Sequence, residues 1–198
     1  MSGPFHGDDD DFSLDDVPTL AGVAGLARLV PQIPWFTTVG TMIDPGLRAA
    51  ADSYASALGF PDATVADVTE WEDAEFAAAN PDWNTDWWEA EEQQRIALTA
   101  QAVELLGDEE MLVVALTNVT KAASECVHVA AAGAAGDIGR RNPALVRAAA
   151  GAATQASYQT ALLLAAGGDE DHPFALKFRL FEAGRWPLGI IGSSFNVF

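Results

Sequence analysis

Cysteine and lysine are nearly absent from this 198-residue chain. The single cysteine, Cys126, excludes an intramolecular disulfide and a zinc knuckle built from a CxxC pair. No uncharged apolar run reaches about 18 residues, so no transmembrane helix is expected. The N-terminus is acidic where a secretory signal needs basic residues followed by an apolar run. We therefore expect a cytoplasmic protein that neither spans nor binds a membrane.

Basic residues are also scarce, because 29 acids face only ten bases and give a net charge of −19. Residues 1–92 hold 19 of the acids and two bases, whereas residues 93–198 hold ten acids and eight bases. Such a chain repels phosphate backbones, so we expect no nucleic-acid partner. The same charge would attract a basic protein partner. The alternative explanation is adaptation to high cytoplasmic salt or a GC-rich genome.

The composition is that of one folded, helical domain. Hydrophobic residues make up 49% of the chain, and 38 residues are alanines, which favour helices. We predict a disordered acidic tail over residues 1–12 and a single, mainly α domain over residues 13–198. The predicted helices cover about 17–30, 45–58, 65–79, 87–106, 108–135, 143–166 and 173–183.

Capping signals set these boundaries and the topology. Asp44 and Asn142 each precede a proline, and Asp108 directly follows Gly107. Asp86 with Glu89 resembles a capping box at the start of the helix over 87–106, and Asp171 or His172 caps the helix that begins at Pro173. Short turns join the three longest helices, which predicts an up-down type bundle of five to seven helices. The runs WPLGII and SFNVF near the C-terminus predict a short β-hairpin, with an extended tail as the alternative.

The stretch from Asp62 to Glu92 is the most unusual in composition, with eleven acids, four tryptophans and no base. Exposed tryptophans among carboxylates would suit a basic or amphipathic protein partner, since tryptophan often anchors interfaces. The candidate residues are Trp71, Trp83, Trp87, Asp82 and Asp86. In the alternative the tryptophans point inward, with Trp88, Ile96, Val103 and Leu106 as the buried stripe of the helix over 87–106.

The longest predicted helix carries four polar residues at spacings of three, four and three: Asn118, Lys121, Glu125 and His128. They share one face of the helix. This polar seam either meets water, or forms an internal network with partners such as Tyr158, or holds a ligand.

Glu125 and His128 have the Glu-x-x-His spacing of helix-borne metal sites. A ferritin-like di-metal site needs two such motifs and this chain supplies one. A mononuclear site at Glu125 and His128 would take a further ligand such as His172 or Cys126. Cys126 and His128 point about 200° apart on a helix, so they form no thiol–base pair. No G-x-S-x-G, Walker A or H-E-x-x-H motif is present.

These observations favour a non-enzymatic protein-binding module whose acidic, tryptophan-bearing N-terminal half engages a basic or amphipathic partner. An immunity or inhibitor-type protein would have such a surface. The alternative is a metal-binding protein or an enzyme with its site at Glu125 and His128. A homo-oligomer is compatible with either function.

Overall fold

The computed structural model describes residues 17–137 and 142–198, and within these ranges the chain is mainly helical. The elements are α1 (Pro18–Leu29), α2 (Pro45–Ala57), β1 (Thr64–Asp67), α3 (Trp71–Ala78), α4 (Thr85–Leu106), α5 (Glu109–Asp137), α6 (Pro143–Ala165), α7 (Pro173–Glu182), β2 (Pro187–Ile191) and β3 (Ser194–Val197). The predicted helical bundle with a C-terminal hairpin is confirmed. The predicted tail over residues 1–12 lies outside the described residues.

Helices α2, α5, α6 and α7 begin at the capping residues that the sequence predicts. The side chains of Asp44, Asp108, Asn142 and His172 each accept a hydrogen bond of 2.9–3.2 Å from a backbone N–H in the first turn. These contacts satisfy donors that have no partner within the helix, and so they fix where each helix starts.

Helices α5 and α6 form the centre of the bundle, and α1 packs against both. The facing side chains are small, which allows the helices to approach closely: Ala115, Val119, Ala123, Val127 and Ala131 on α5, and Ala149, Ala153 and Ala156 on α6. Gly107 ends α4 in a left-handed conformation (φ 66°), so α4 and α5 are joined by a sharp turn as predicted. None of the helices described is long and apolar enough to cross a membrane.

Helices α2 and α7 pack together beside the small sheet and build a second core. We call it the sheet-side core; its buried members are Ile43, Ala51, Tyr54, Leu58, Leu176, Leu180, Ile190, Phe195 and Val197. Helix α7 also contributes Phe174, Phe178 and Phe181 to the bundle core. Because its two faces are buried in different cores, α7 joins the two halves of the domain.

The sheet has the order β1-β3-β2, with β2 and β3 antiparallel and β1 parallel to β3. The predicted helix over residues 65–79 is therefore wrong in its first half, because β1 occupies residues 64–67 and only α3 is helical. Asp67 fixes β1 by accepting a 2.8 Å hydrogen bond from the backbone N–H of Ile43 and by pairing with Arg48. Arg48 also donates to the carbonyl of Val65 at 2.7 Å.

The predicted start of α4 is wrong, and so is the first half of its predicted inward stripe, whereas Val103 and Leu106 from the second half are half-buried against the bundle core. Asn84, rather than Asp86, caps the helix by accepting bonds from two backbone N–H groups. Trp88 and Ile96 are 48% and 49% exposed. The buried residues are instead Glu91, Leu98 and Ala102, which follow Trp87 at helical spacing. The inward face of α4 was misassigned because it contains a buried carboxylate, Glu91, whereas the prediction used only apolar residues.

The last residue of the sequence, Phe198, is fully buried. Its backbone exchanges two hydrogen bonds with Trp186, at 2.6 and 2.9 Å. Its ring meets that of Trp71 edge-on at 4.7 Å. These contacts connect the hairpin to α3.

Candidate functional site

Two tryptophans and three carboxylates are exposed within the segment from Asp82 to Glu89, which we call the acidic tryptophan segment. Trp83 is 39% exposed and Trp88 is 48% exposed. The side chains of Asp82, Asp86 and Glu89 also face solvent. Large aromatic side chains normally lose water contact on folding, so two of them left half-exposed in eight residues mark this segment as unusual.

The acidic tryptophan segment is held against the edge of the sheet. Trp83 forms an isolated antiparallel bridge with Ile191 of β2, and the backbone N–H of Asn84 donates to the carbonyl of Ile190 at 2.8 Å. Asn80 accepts a 2.8 Å bond from the N–H of Asp82. The exposed side chains therefore project from a backbone with fixed hydrogen bonds.

Trp87 is half-buried and anchors the acidic tryptophan segment to the rest of the fold. Its indole N–H donates to the Tyr54 hydroxyl at 2.6 Å, and its ring packs edge-on against that of Trp83 at 6.4 Å. The ring lies on the backbone of Gly189, where an added Cβ would come within 2.6 Å of it. Gly189 also has φ 121°, a conformation that other residues rarely adopt. Both the close approach of the Trp87 ring and this backbone conformation therefore require glycine at position 189.

A buried charged network lies directly below Trp87. Glu91 of α4 accepts hydrogen bonds from the Lys177 ammonium at 2.7 and 3.0 Å, from the Tyr54 hydroxyl at 2.5 Å and from the Gln159 amide at 3.2 Å. The Lys177 ammonium also donates to Gln159 at 3.3 Å and lies 5.8 Å from the Trp87 ring centre. Glu91 and Lys177 are 4% and 5% exposed.

The charge on Glu91 is stabilised despite its burial. Burial by itself raises the pKa of Glu91, but the ammonium charge and the hydrogen bonds from its three partners outweigh this effect and lower the pKa. Burial and the adjacent carboxylate raise the pKa of Tyr54 well above its usual value. The lowered pKa of Glu91 favours its carboxylate form, and the raised pKa of Tyr54 favours its neutral phenol.

This network connects α2, α4, α6 and α7, one residue from each. The four polar side chains satisfy one another, so the arrangement holds four helices together. Sequence reasoning missed it. The sequence did contain a signal of this network, because Lys177 lies among Phe174, Phe178 and Phe181 on an apolar helix. A lysine that is buried with such a face needs a partner of opposite charge.

The polar seam predicted on α5 faces solvent. Asn118, Lys121, Glu125 and His128 are all exposed. Tyr158, on α6, is half-buried and lines a surface cleft together with Lys121. The four seam residues thus lie on the outer face of α5, while Tyr158 lies beside them at its flank.

The two predicted metal ligands, Glu125 and His128, are both on this outer face. Among the residues that the structure describes, no three His, Cys, Asp or Glu side chains are grouped closely enough to hold a metal ion. Neighbouring Cys126 is half-buried, and burial raises the pKa of its thiol. A raised thiol pKa disfavours the reactive thiolate.

Trp71, the remaining candidate partner residue, is 8% exposed and packs on Phe198, so it lies inside the fold rather than on the acidic tryptophan segment. The structure thus brings Trp83, Trp87, Asp82 and Asp86 together and separates them from Trp71. Comparisons with protein-family models, with curated proteins and with solved structures found no match to this chain.

Proposed function

We propose that the protein is a non-enzymatic binding module and that the acidic tryptophan segment engages a basic, amphipathic protein partner. The observation that carries this proposal is the half-exposure of Trp83 and Trp88 among exposed carboxylates. Tryptophan is enriched among the residues that dominate binding energy, and a partner would bury the apolar ring area left open to water. An inhibitor or immunity-type role would use such a surface.

The rigidity of the segment supports this role. Trp87 is fixed by Tyr54 and Gly189, and the backbone of Asn84 is bonded to β2. A binding surface that is already ordered loses less conformational entropy when a partner docks. The two exposed indoles are therefore presented from a scaffold that binding need not reorganise.

The charge of the segment defines the partner. Asp82, Asp86 and Glu89 are exposed, and no lysine or arginine occurs between residues 62 and 92. Positive residues on the partner would accelerate encounter and would make the association sensitive to salt. A partner with apolar residues between its positive charges would match both the carboxylates and the indoles.

The proposal is tested with a defined probe, a fluorescein-labelled amphipathic peptide of leucine and lysine, with a leucine–glutamate peptide of the same length as the negative probe. Binding is followed by fluorescence anisotropy. Trp83→Ala and Trp88→Ala are each expected to weaken binding at least about fivefold, since interface tryptophans commonly contribute more than about 1 kcal/mol. Met42→Ala, at a position 70% exposed, is the matched apolar control and should have no effect.

A second pair of variants separates a local site from general acidity. Asp82→Asn/Asp86→Asn removes two charges inside the segment, and Asp52→Asn/Asp62→Asn removes two exposed charges outside it. Weaker binding in the first variant alone supports the proposal. Equal weakening in both would attribute the attraction to overall charge, as salt adaptation would produce, and unchanged binding in both tryptophan variants would refute the proposed site.

The alternative function, metal binding at Glu125 and His128, is tested separately. Elemental analysis of the purified protein, compared with a Glu125→Gln/His128→Asn variant, would reveal a stoichiometric metal bound by these two residues. The cytoplasmic location also stays a proposal; fractionation of cells that produce the protein would test it.

A further inference from the structure

Six positions on the outer face of α5 alternate at spacings of four and three residues. We call them the outer stripe: Val114, Asn118, Lys121, Glu125, His128 and Ala132. All six are exposed. Alternating steps of four and three residues keep these six side chains in one line along the helix, at the spacing of the a and d positions of a coiled coil, although four of the six are polar. Over 19 residues the stripe is about 27 Å long.

The polar members of the outer stripe have no side-chain partner in the part of the chain that the structure describes. Asn118, Lys121, Glu125 and His128 form no side-chain hydrogen bond or ion pair with any other residue that the structure describes. Lys121 and Glu125 lie one turn apart and still do not pair. Their bonding capacity is open to another molecule.

If a second copy of α5 is placed antiparallel to the first about a two-fold axis at position 123, complementary side chains of the two outer stripes face each other. Position 121 then faces 125, which opposes a lysine to a glutamate. Position 118 faces 128, which opposes an amide to an imidazole, and position 114 faces 132, which opposes Val114 to Ala132. In an antiparallel coiled coil each a position meets a d position of the other helix, and all six pairings satisfy this rule.

We propose that a second copy of this chain docks on the outer stripe, so that two α5 helices pack antiparallel about a two-fold axis at position 123. Each Lys121 then pairs with Glu125 of the other copy, and Val114 packs on Ala132 at both ends. Such an interface is isologous and closes after two copies. This proposal uses residues other than the acidic tryptophan segment and does not depend on the proposed function.

The charge distribution opposes self-association less in the half of the chain that holds α5 than in residues 1–92, although α5 itself carries four acids and one base. Residues 1–92 carry 19 acids and two bases, so two copies repel each other through that half of the chain. Residues 93–198, which include α5, carry ten acids and eight bases. Antiparallel helices also place the positive end of each helix dipole beside the negative end of its partner. The outer stripe combines low net charge with paired opposite charges.

The interface is narrow and its centre is polar, so we expect a dissociation constant in the micromolar range rather than a permanent dimer. Sedimentation velocity of the full chain, from micromolar to millimolar concentration, measures the association. The wild-type protein should pass from monomer to dimer over this series. A protein that remains monomeric at every concentration would overturn the proposal.

Charge reversal then tests the pairing. Lys121→Glu places a glutamate opposite each Glu125, and Glu125→Lys places a lysine opposite each Lys121. Each variant alone should dimerise at least about tenfold more weakly than wild type, because both attractive pairs become repulsive. An equal mixture of the two variants should form heterodimers, since every facing pair is then one glutamate and one lysine.

The double variant Lys121→Glu/Glu125→Lys should recover the wild-type association, because the facing charges are exchanged but still opposite. In a parallel arrangement like charges would face each other in both proteins, so recovery identifies the antiparallel register. Asp52→Lys, which changes the net charge by as much as Glu125→Lys on exposed α2, is the control and should dimerise at least as well as wild type. Single variants that stay dimeric, or a double variant that does not recover, would refute the proposed contact.

Discussion

Replacing Lys177 by methionine removes the ammonium group that neutralises Glu91 and keeps most of the side chain's volume. The Lys177 ammonium donates to both carboxylate oxygens, at 2.7 and 3.0 Å, and both side chains are at least nine-tenths buried. Removing one partner of such a pair leaves a buried charge without compensation, which costs about 3–5 kcal/mol of unfolding free energy. We expect a loss of this size at neutral pH.

The loss should depend on pH in a defined direction. In the wild-type fold the pKa of Glu91 is lowered, so its contribution to stability is present above its unfolded pKa and is lost as pH falls through the folded value. In Lys177→Met, burial without the ammonium raises that pKa instead, so the variant is penalised above the unfolded pKa. The unfolding free energies of the wild type and of Lys177→Met should therefore approach each other as the pH falls from about 7 to about 4.

Equilibrium urea unfolding, followed by far-UV circular dichroism at several pH values, measures both effects. Arg179→Met on the same helix is the matched control, because the Arg179–Glu170 pair is exposed and such pairs contribute about 0–1 kcal/mol. The double variant Glu91→Gln/Lys177→Met should recover most of the lost stability, since this network then buries no charge. If Lys177→Met costs no more than Arg179→Met, the buried-pair interpretation is refuted.

Two further changes probe the support of Trp87. Gly189→Ala should lower the unfolding free energy by more than about 2 kcal/mol, because the new methyl group meets the Trp87 ring and the backbone conformation is strained; Gly107→Ala, at φ 66° with open space around it, should cost only about 1 kcal/mol. Tyr54→Phe should cost about 1–3 kcal/mol in urea unfolding, because Glu91 and the Trp87 indole each lose a hydrogen-bond partner. A Gly189→Ala protein as stable as Gly107→Ala, or an unperturbed Tyr54→Phe protein, would contradict these contacts.

Local signals in the sequence were sufficient for most helix boundaries. An Asp or Asn residue before a proline caps a helix through contacts with its own neighbours, so Asp44 and Asn142 could be identified without knowledge of the rest of the fold, whereas the choice between Asp171 and His172 was decided by the structure. The β-hairpin was also local, because its two strands flank a short turn. The predicted start of α4 was wrong because Asn84 and Asp86 are both suitable capping residues, and Asn84 is the one that caps the helix.

Long-range contacts were not predictable in the same way. Strand β1 exists because β3, about 130 residues later, offers it a parallel partner, and no pattern within residues 64–67 indicates that pairing. The inward face of α4 was misread because Glu91 is acidic, and its burial depends on Lys177, 86 residues away. Of the candidate tryptophans Trp83 is exposed and Trp71 is buried, while Trp88, which was assigned to the inward stripe of α4, is exposed instead.

By itself the sequence determined the helical class of the domain, its caps, its hairpin and the spacing of polar residues along α5, because these depend on neighbours within one or two turns of the chain. Only the tertiary structure decided which charges are buried, which tryptophans meet water and which face of α5 is open. Burial is a property of what packs against a residue, and for Glu91, Trp88 and Lys121 that is set by parts of the chain far away in sequence.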